Sequence, residues 1–359
     1  MTALAGLMVL LASACRIFAE APGYPAMDKK HHTTRGFRNN YPHPNKGSGD
    51  FLKFLGEFRD RPALRAFPHA ENDPAFLRAN RSEPTLTWIG HDSFLIQRNG
   101  LNILTDPHLT ERASPVGWAG PERMMPPGLT LEQLPDIDLV IISHNHYDHL
   151  DEGTVIALNR RQPDRPPRFY VPLGLKAWFV ARGIKNVVEL DWWENTEVAG
   201  MKLHAVPVQH FSSRGPFDRN ATLWCGWVAQ WPDFSLFFAG DSGYSQDFKD
   251  IGERFGGFDL SLIPIGAYDP RWFMRPMHVD PEEAVQVHLD VRSRQSIGMH
   301  WGTFVLTLED PAEPPRRLAT AVSKAGLAPD SFTVMQHGET RRLGARVEKA
   351  TNVRASAQR

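Results

Sequence analysis

An α/β layered fold is what this sequence predicts, and three observations predict it. Apolar runs of strand length recur from residue 85 to residue 299. Helical stretches fall between several of them. The run 138–143 is apolar almost throughout, as expected of a strand buried on both faces. The 359 residues allow one large domain or two small ones. A hydrophobic share of 42% and a charged share of 23% are ordinary for a globular chain and exclude a wholly disordered, collagenous or disulfide-stapled one. The net charge of −1 speaks against nucleic acid as a partner.

The elements follow in order. Residues 85–89 and 93–97 read as strands, and Asn99-Gly100 is a strong hairpin signal leading into a return strand at 101–105. Further strands are expected at 168–171, 186–190, 202–206, 223–229, 235–238, 260–263 and 296–299. Helices are expected at 174–182, 244–255 and 281–289. The last has Asp280 as N-cap, Pro281 at its first position and Glu282-Glu283 at its positive end. Cys225 lies in a strand-like run and reads as a buried core thiol. No internal repeat is evident.

The ends differ from this body. Both are net basic, while the body is net acidic, a balance that could favour an anionic membrane surface. Residues 3–14 form an apolar run too short to span a bilayer but suited to an export signal. Ala12-Ser13-Ala14-Cys15 resembles the lipobox of bacterial lipoproteins, although Ala12 stands where leucine is usual and no Lys or Arg precedes the run. Residues 1–19 are therefore expected to be a signal region, with Cys15 as a lipidation candidate. That places the protein in the cell envelope, the alternative being a peripheral position on the cytoplasmic face. Residues 20–80 read as an irregular arm packing on the domain, with one short helix at 51–58. Residues 346–359 read as a disordered polar tail.

The chemistry concentrates at Ser143-His144-Asn145-His146-Tyr147-Asp148-His149-Leu150-Asp151, directly after the apolar run. Three His and one Asp in six residues are a dense set of metal donors. Alternation would send His144 and His146 the same way, towards one ion, with Asp148 and His149 turned to a second. Downstream, His210, Asp241 and His300 each end an apolar run. His91 and Asp106 stand beside strand ends too. Asp106 is either a partner for a ligand His or a turn residue before Pro107.

His-x-His-x-Asp-His after a hydrophobic strand resembles the signature of the metallo-β-lactamase superfamily. A closer resemblance, to the N-acyl-phosphatidylethanolamine-hydrolysing phospholipase D family, is carried by Thr87-Trp-Ile-Gly-His91, Glu189-Leu-Asp-Trp-Trp193, Pro270-Arg-Trp-Phe-Met274, His278-Val-Asp-Pro-Glu-Glu-Ala284 and His300-Trp-Gly-Thr-Phe304, and it runs over about residues 32–340. The signal-like start departs from the animal enzymes and suggests a bacterial-type member.

The resemblance implies an αββα sandwich in a single catalytic domain, 81–345, with two zinc ions; iron or manganese would also suit the donors. His144, His146 and His210 would hold the first ion, Asp148, His149 and His300 the second, and Asp241 would bridge them. A hydroxide held between the ions would attack phosphorus, releasing N-acylethanolamine and leaving phosphatidic acid. Asp148 would orient that hydroxide, and His278 would donate to the phosphate or the leaving oxygen. Trp192, Trp193, Trp272, Phe273 and Met274 are candidates for an apolar landing surface for a phospholipid substrate, and Arg271 and Arg275 for holding its phosphate. A homodimer would fit the resemblance. Two other readings keep the metal site. One is a dimetal hydrolase of a lactone, β-lactam or small phosphodiester; the other is an envelope lipoprotein with a structural or sensory site. Seven donors shared by two ions leave a bridging position open, which argues against the last.

Overall fold

Each apolar run has a packing layer on both faces, and this fixes the architecture. The computed structural model describes residues 29–344; the expected signal region with Cys15 and the tail 346–359 lie outside them. The arm begins with a short hairpin, β1 (His32–Thr33) and β2 (Gly36–Phe37), followed by α1 (Ser48–Glu57) and α2 (Pro74–Ala79). Helix α2 has no apolar periodicity to announce it. Its signal is local: the Asp73 carboxylate accepts from the Phe76 amide, and Pro74 takes the first turn.

The first half of the body comprises β3 (Thr85–Gly90), β4 (Ser93–Arg98), β5 (Leu101–Thr105), β6 (Leu139–Ile141), α3 (Glu152–Arg161), β7 (Arg168–Pro172), α4 (Lys176–Val180) and β8 (Val187–Leu190). The second half comprises β9 (Asn195–Val198), β10 (Met201–Val206), β11 (Gly226–Trp231), β12 (Phe234–Phe238), α5 (Asp247–Phe255), β13 (Phe258–Pro264), α6 (Arg271–Met274), α7 (Pro281–Asp290), β14 (Ser293–Met299), α8 (Glu313–Lys324) and β15 (Phe332–Val334). β16 (Thr340–Arg342) is the last element among the described residues.

Two seven-stranded sheets result, ordered β16-β3-β4-β5-β6-β7-β8 and β9-β10-β11-β12-β13-β14-β15. Along each, three antiparallel pairings are followed by three parallel ones. The two halves thus repeat one topology, although no repeat is visible in the residues. Pairing pattern repeats without side-chain identity because many apolar sequences satisfy the same layer. The first sheet takes its outer antiparallel strand, β16, from the far end of the chain.

Alternation sorts the side chains. In the first sheet Trp88, Phe94, Ile96, Ile103, Ile141 and Tyr170 enter the large core shared with the second sheet. Ile89, Leu95, Leu104, Val140, Phe169 and Val171 point the other way, into a core with Val155 and Leu158 of α3 and Leu77 of α2. The Trp227 indole of β11 donates to Ile142 O across the sheets at 2.9 Å. The described elements therefore form an αββα sandwich.

Three sequence expectations are corrected. The strand expected at 223–229 starts at Gly226; Cys225 N instead donates to Ser143 O, tying the two sheets' loops, and its thiol is fully buried. The helix expected at 174–182 runs only over Lys176–Val180, because Gly174 sits at φ +92. The helix expected at 244–255 starts at Asp247, after Ser245 has turned its hydroxyl to the Asp247 carboxylate. Leu77 is completely buried and joins the arm to the helix-side core. Leu77→Ala should therefore cost about 3 kcal/mol in urea unfolding; a loss well under about 1 kcal/mol would mean that the arm is not part of the cooperative unit.

Candidate metal centre

The donors stand where the strands' carboxyl ends from both sheets meet. His144, His146, Asp148 and His149 follow β6, His210 follows β10, Asp241 follows β12 and His300 follows β14. Strand β6 ends at Ile141, so His144 and His146 do not converge by strand alternation. A turn brings them together, with the His149 and Leu150 amides donating to His146 O. Asp241 is delivered by a close approach of the sheets: Gly240 lies at φ +59, and a Cβ there would sit 2.6 Å from that of Ser143.

All seven residues come together. In one group, His144 Nε2 lies 2.8 Å from His146 Nδ1, which lies 3.3 Å from His210 Nε2. In the other, His149 Nε2 and His300 Nε2 are 3.3 Å apart, and Asp148 Oδ2 lies 3.3 and 3.5 Å from them. Asp241 faces both: its Oδ2 is 3.7 Å from His210 Nε2, 3.8 Å from His144 Nε2 and 3.1 Å from His149 Nε2, and its Oδ1 is 3.1 Å from His300 Nε2. Yet the buried Oδ1 makes no hydrogen bond to that ring. Within each group the donor atoms lie within 4.8 Å of one another, and none is a thiolate, so each group could hold a divalent ion.

The surroundings set the imidazole tautomers. Asp106, at the end of β5, accepts from His149 Nδ1 at 2.8 Å and from the Ser143 amide at 2.7 Å. The Ser143 hydroxyl donates to the same carboxylate and accepts from His144 Nδ1 at 2.9 Å. One carboxylate thus leaves Nε2 free on a histidine of each group. Asp106 has φ +32, so the tight turn before Pro107 and the contact with the ligand rings coexist. His91 adds an eighth side chain: its Nε2 lies 3.0 Å from Asp148 Oδ2 and its ring 4.0 Å from that of His300. Asp92 went unnoticed in the sequence. It is wholly buried, neither oxygen is hydrogen-bonded, and one lies 3.7 Å from His149 Nδ1. Its only signal was its position beside His91 after a strand.

Charge follows from this packing. Burial opposes ionisation of Asp241 and Asp148, but His149 and other imidazoles overcome it and hold both carboxyls well below their usual range. Burial likewise opposes a proton on His149 and on His300. For His149, Asp241, Asp148 and Asp106 overcome it and raise its pKa well above normal; for His300, Asp241 and Asp92 lead in raising it to about 10. Burial lowers His146 to about 3 and also holds His144 and His210 well down. Burial dominates at Asp92 and raises it to about 8 despite the nearby His300 and His149.

His278 lies at the centre's edge, its ring 5.3 Å from that of His210 and 5.2 Å from that of His300. Arg271 is not free for phosphate: it donates to His278 O at 2.8 Å and pairs with Glu283 at 2.5 Å, while Arg275 pairs with the same Glu283 at 3.1 Å. The candidate landing residues divide. Trp192 is buried core, stacked on His31, and Trp193 packs on the main core under Arg254. Phe273 and Met274 are buried as well, and with the half-buried Trp272 they cluster with Phe54, Phe58, Met277 and Phe211, whose ring lies 4.4 Å from that of His146.

Two sheets delivering paired His and Asp donors at their carboxyl ends define a metallo-β-lactamase fold. A family model described as a beta-lactamase superfamily domain matches residues 101–301. The N-acyl-phosphatidylethanolamine-hydrolyzing phospholipase D 1 of Caenorhabditis elegans is 42% identical over 265 residues, covering 70% of this chain and 74% of that one. A UPF0173 metal-dependent hydrolase of Methanopyrus kandleri is 30% identical over 236 residues, covering 65% of this chain and 90% of its own. The isothiocyanate hydrolase from Delia radicum gut bacteria shares the fold, with a TM-score of 0.59 at 21% identity, covering 73% of this chain and 100% of that one. The chain is a metal-dependent hydrolase, and it belongs to the N-acyl-phosphatidylethanolamine-hydrolysing phospholipase D family.

A divalent ion can use His149 and His300 only after they lose their protons. Because both pKa values are raised, metal uptake should release protons and tighten as the pH rises from neutral towards about 10. Calorimetry in buffers of different ionisation enthalpy reads that release, and an uptake independent of pH would contradict it. Asp106→Asn should weaken metal binding by about 10- to 100-fold.

Proposed function

We propose that this chain is a zinc-dependent phosphodiesterase of the phospholipase D type. Its substrate is N-acyl-phosphatidylethanolamine, which it splits with water into N-acylethanolamine and phosphatidic acid. The observation that carries this reading is the apolar cluster that reaches the paired donor groups through Phe211 and carries exposed aromatic and basic residues at its edge. Helix α1 exposes half of Phe51 and more of Leu52, and Phe217 is almost entirely exposed on the loop that carries Phe211. Lys53 and Lys46 lie over the Trp272 ring, at 4.0 and 5.6 Å. Arg219 stacks 4.0 Å from the Phe211 ring and makes no ion pair among the described residues. Exposed aromatics with interspersed cations suit the interface of an anionic membrane. No helix among the described residues is long and apolar enough to cross one.

Histidine-rich, thiolate-free donors suit zinc. His144, His146, His210 and Asp241 would hold one ion, and Asp148, His149, His300 and Asp241 the other. Bound there, two ions would supply water activated at neutral pH and neutralise charge growing on the phosphoryl oxygens. Asp148 is the more exposed of the two carboxylates, with 14% of its side chain accessible against 2% for Asp241, and His91 fixes its Oδ2; its other oxygen would orient the attacking water. Burial lowers the pKa of His278 to about 4. At neutral pH it therefore offers a hydrogen bond from a neutral ring to the phosphate or leaving oxygen, not an ionisable proton. Arg219, stacked on the Phe211 ring beside His146, would meet the diester's negative charge, a role closed to Arg271 and Arg275 by their pairing with Glu283.

Turnover of N-acyl-phosphatidylethanolamine in mixed micelles, followed by mass spectrometry beside phosphatidylethanolamine and phosphatidylcholine, tests the reading. Zinc-loaded protein should release N-acylethanolamine and phosphatidic acid; Asp148→Asn and His144→Ala should not, and His278→Ala should turn over more slowly at full metal content. Absence of release from protein holding two metal ions would exclude this substrate. Faster turnover of soluble bis-p-nitrophenyl phosphate than of dispersed lipid would favour a small phosphodiester. Arg219→Ala should raise KM about fivefold with kcat nearly unchanged; an equal fall in kcat would place Arg219 in the transition state instead.

A further inference from the structure

The arm reaches the metal centre through Asn39. Its side-chain amide closes on the backbone of His210 from both sides: Nδ2 donates to His210 O at 2.9 Å, and Oδ1 accepts from His210 N at 3.1 Å. The same Oδ1 accepts from the Trp224 indole at 3.2 Å, and that indole also donates to Val208 O at 2.9 Å. One carbonyl acceptor and two N–H donors fix which way the amide points. Segment 208–210 is thus held by two side chains brought from remote parts of the sequence. The His210 ring is held separately, Nδ1 donating to Met277 O at 3.0 Å, so that Nε2 faces His146 and Asp241.

Asn39 is itself fixed on both sides. Upstream, Asp191 at the end of β8 accepts from His31 Nε2 at 2.7 Å, His32 Nε2 at 2.9 Å, Lys29 Nζ at 2.6 Å and its neighbour's amide, Trp192 N, at 2.7 Å. Two His and one Asp could form a metal triad, but the Lys29 ammonium already balances this carboxylate and both oxygens are fully hydrogen-bonded. The group is therefore a clasp for the arm. His31 stacks on Trp192, whose indole donates to Trp224 O at 2.6 Å. Between clasp and Asn39, the Phe37 amide donates to Asn220 O at 2.9 Å, and Gly36 passes so close that a Cβ would lie 2.0 Å from that oxygen. Downstream, Asn40 donates to Asp247 at 2.9 Å and the Tyr41 hydroxyl to Asp250 at 2.6 Å, both on α5.

We propose that Asn39 is a positioning residue for the His144–His146–His210 ion, and that the Asp191 clasp keeps it in place. The proposal rests on the reading of His210 as a metal ligand. Outer contacts of this kind set ligand orientation and hence ion affinity, and Asn39 touches only one of the two groups.

The test uses the full chain as Asn39→Ala, Asn39→Asp and Asp191→Asn, with His210→Ala as reference. Each protein is loaded with zinc and titrated with a graded chelator, and each is also loaded with cobalt for its visible spectrum. Asn39→Ala should lose one ion about tenfold more readily or worse while the other stays as tight as in wild type, and its cobalt spectrum should lose the component missing from His210→Ala. The retained ion reports an intact fold. Asn39→Asp keeps the acceptor but loses the donor and should fall between. Asp191→Asn should weaken the same ion less. Unchanged release in Asn39→Ala, or equal weakening of both ions, overturns the proposal. Retention of both ions by His210→Ala would overturn the ligand reading, and the proposal with it.

Discussion

A carboxylate buried between two groups of imidazoles is the interaction on which the rest of the molecule depends. Asp241 is 3% exposed and faces histidines from both sheets. A buried charge of this kind is tolerated only when matched. The match requires the carboxyl ends of β6, β10, β12 and β14 to meet at one place. Gly240 permits the approach, the Trp227 indole and Cys225 amide tie the two layers beside it, and Asp106 presets a ring in each donor group. The sandwich can thus be understood as a frame whose two sheets each supply part of one charge-balanced centre.

Much of this was legible from the residues, and the reasons are physical. The strands were readable because burial on both faces demands continuous apolar runs, and the donors because His and Asp directly after such runs have few structural uses. What escaped falls into two kinds. Topology escaped because pairing order leaves no periodicity: the two halves share one succession of pairings without sharing side chains, and β16, three residues long, joins the far sheet. Residues acting through backbone or through other side chains escaped as well. Asn39 looks like a turn residue, and Asp92 looks like any polar residue beside a histidine. Trp192 and Arg271 erred in the opposite direction. Their residue types suit lipid and phosphate, but one fills the core and the other is claimed by Glu283.

The arm links these levels. By composition it reads as an irregular arm packing on the domain, and it supplies α1 to the apolar cluster, Leu77 to the helix-side core and Asn39 to the loop that carries His210. Surface, core and centre therefore share one segment, and a change in how the arm docks would be felt in all three.

The placement of β16 has a consequence for how the chain comes off the ribosome. Strand β3 is buried along its whole length, and its outer neighbour pairs Thr340 with Thr87 and Arg342 with Thr85. Until some 250 further residues have been made, the β3 edge lacks the partner it has among the described residues. Even with every other strand in place, the nascent protein presents an unpaired apolar edge throughout synthesis of its second half. The first sheet can be completed only after the strands of the second have been synthesised, so the two sheets mature together and not one after the other.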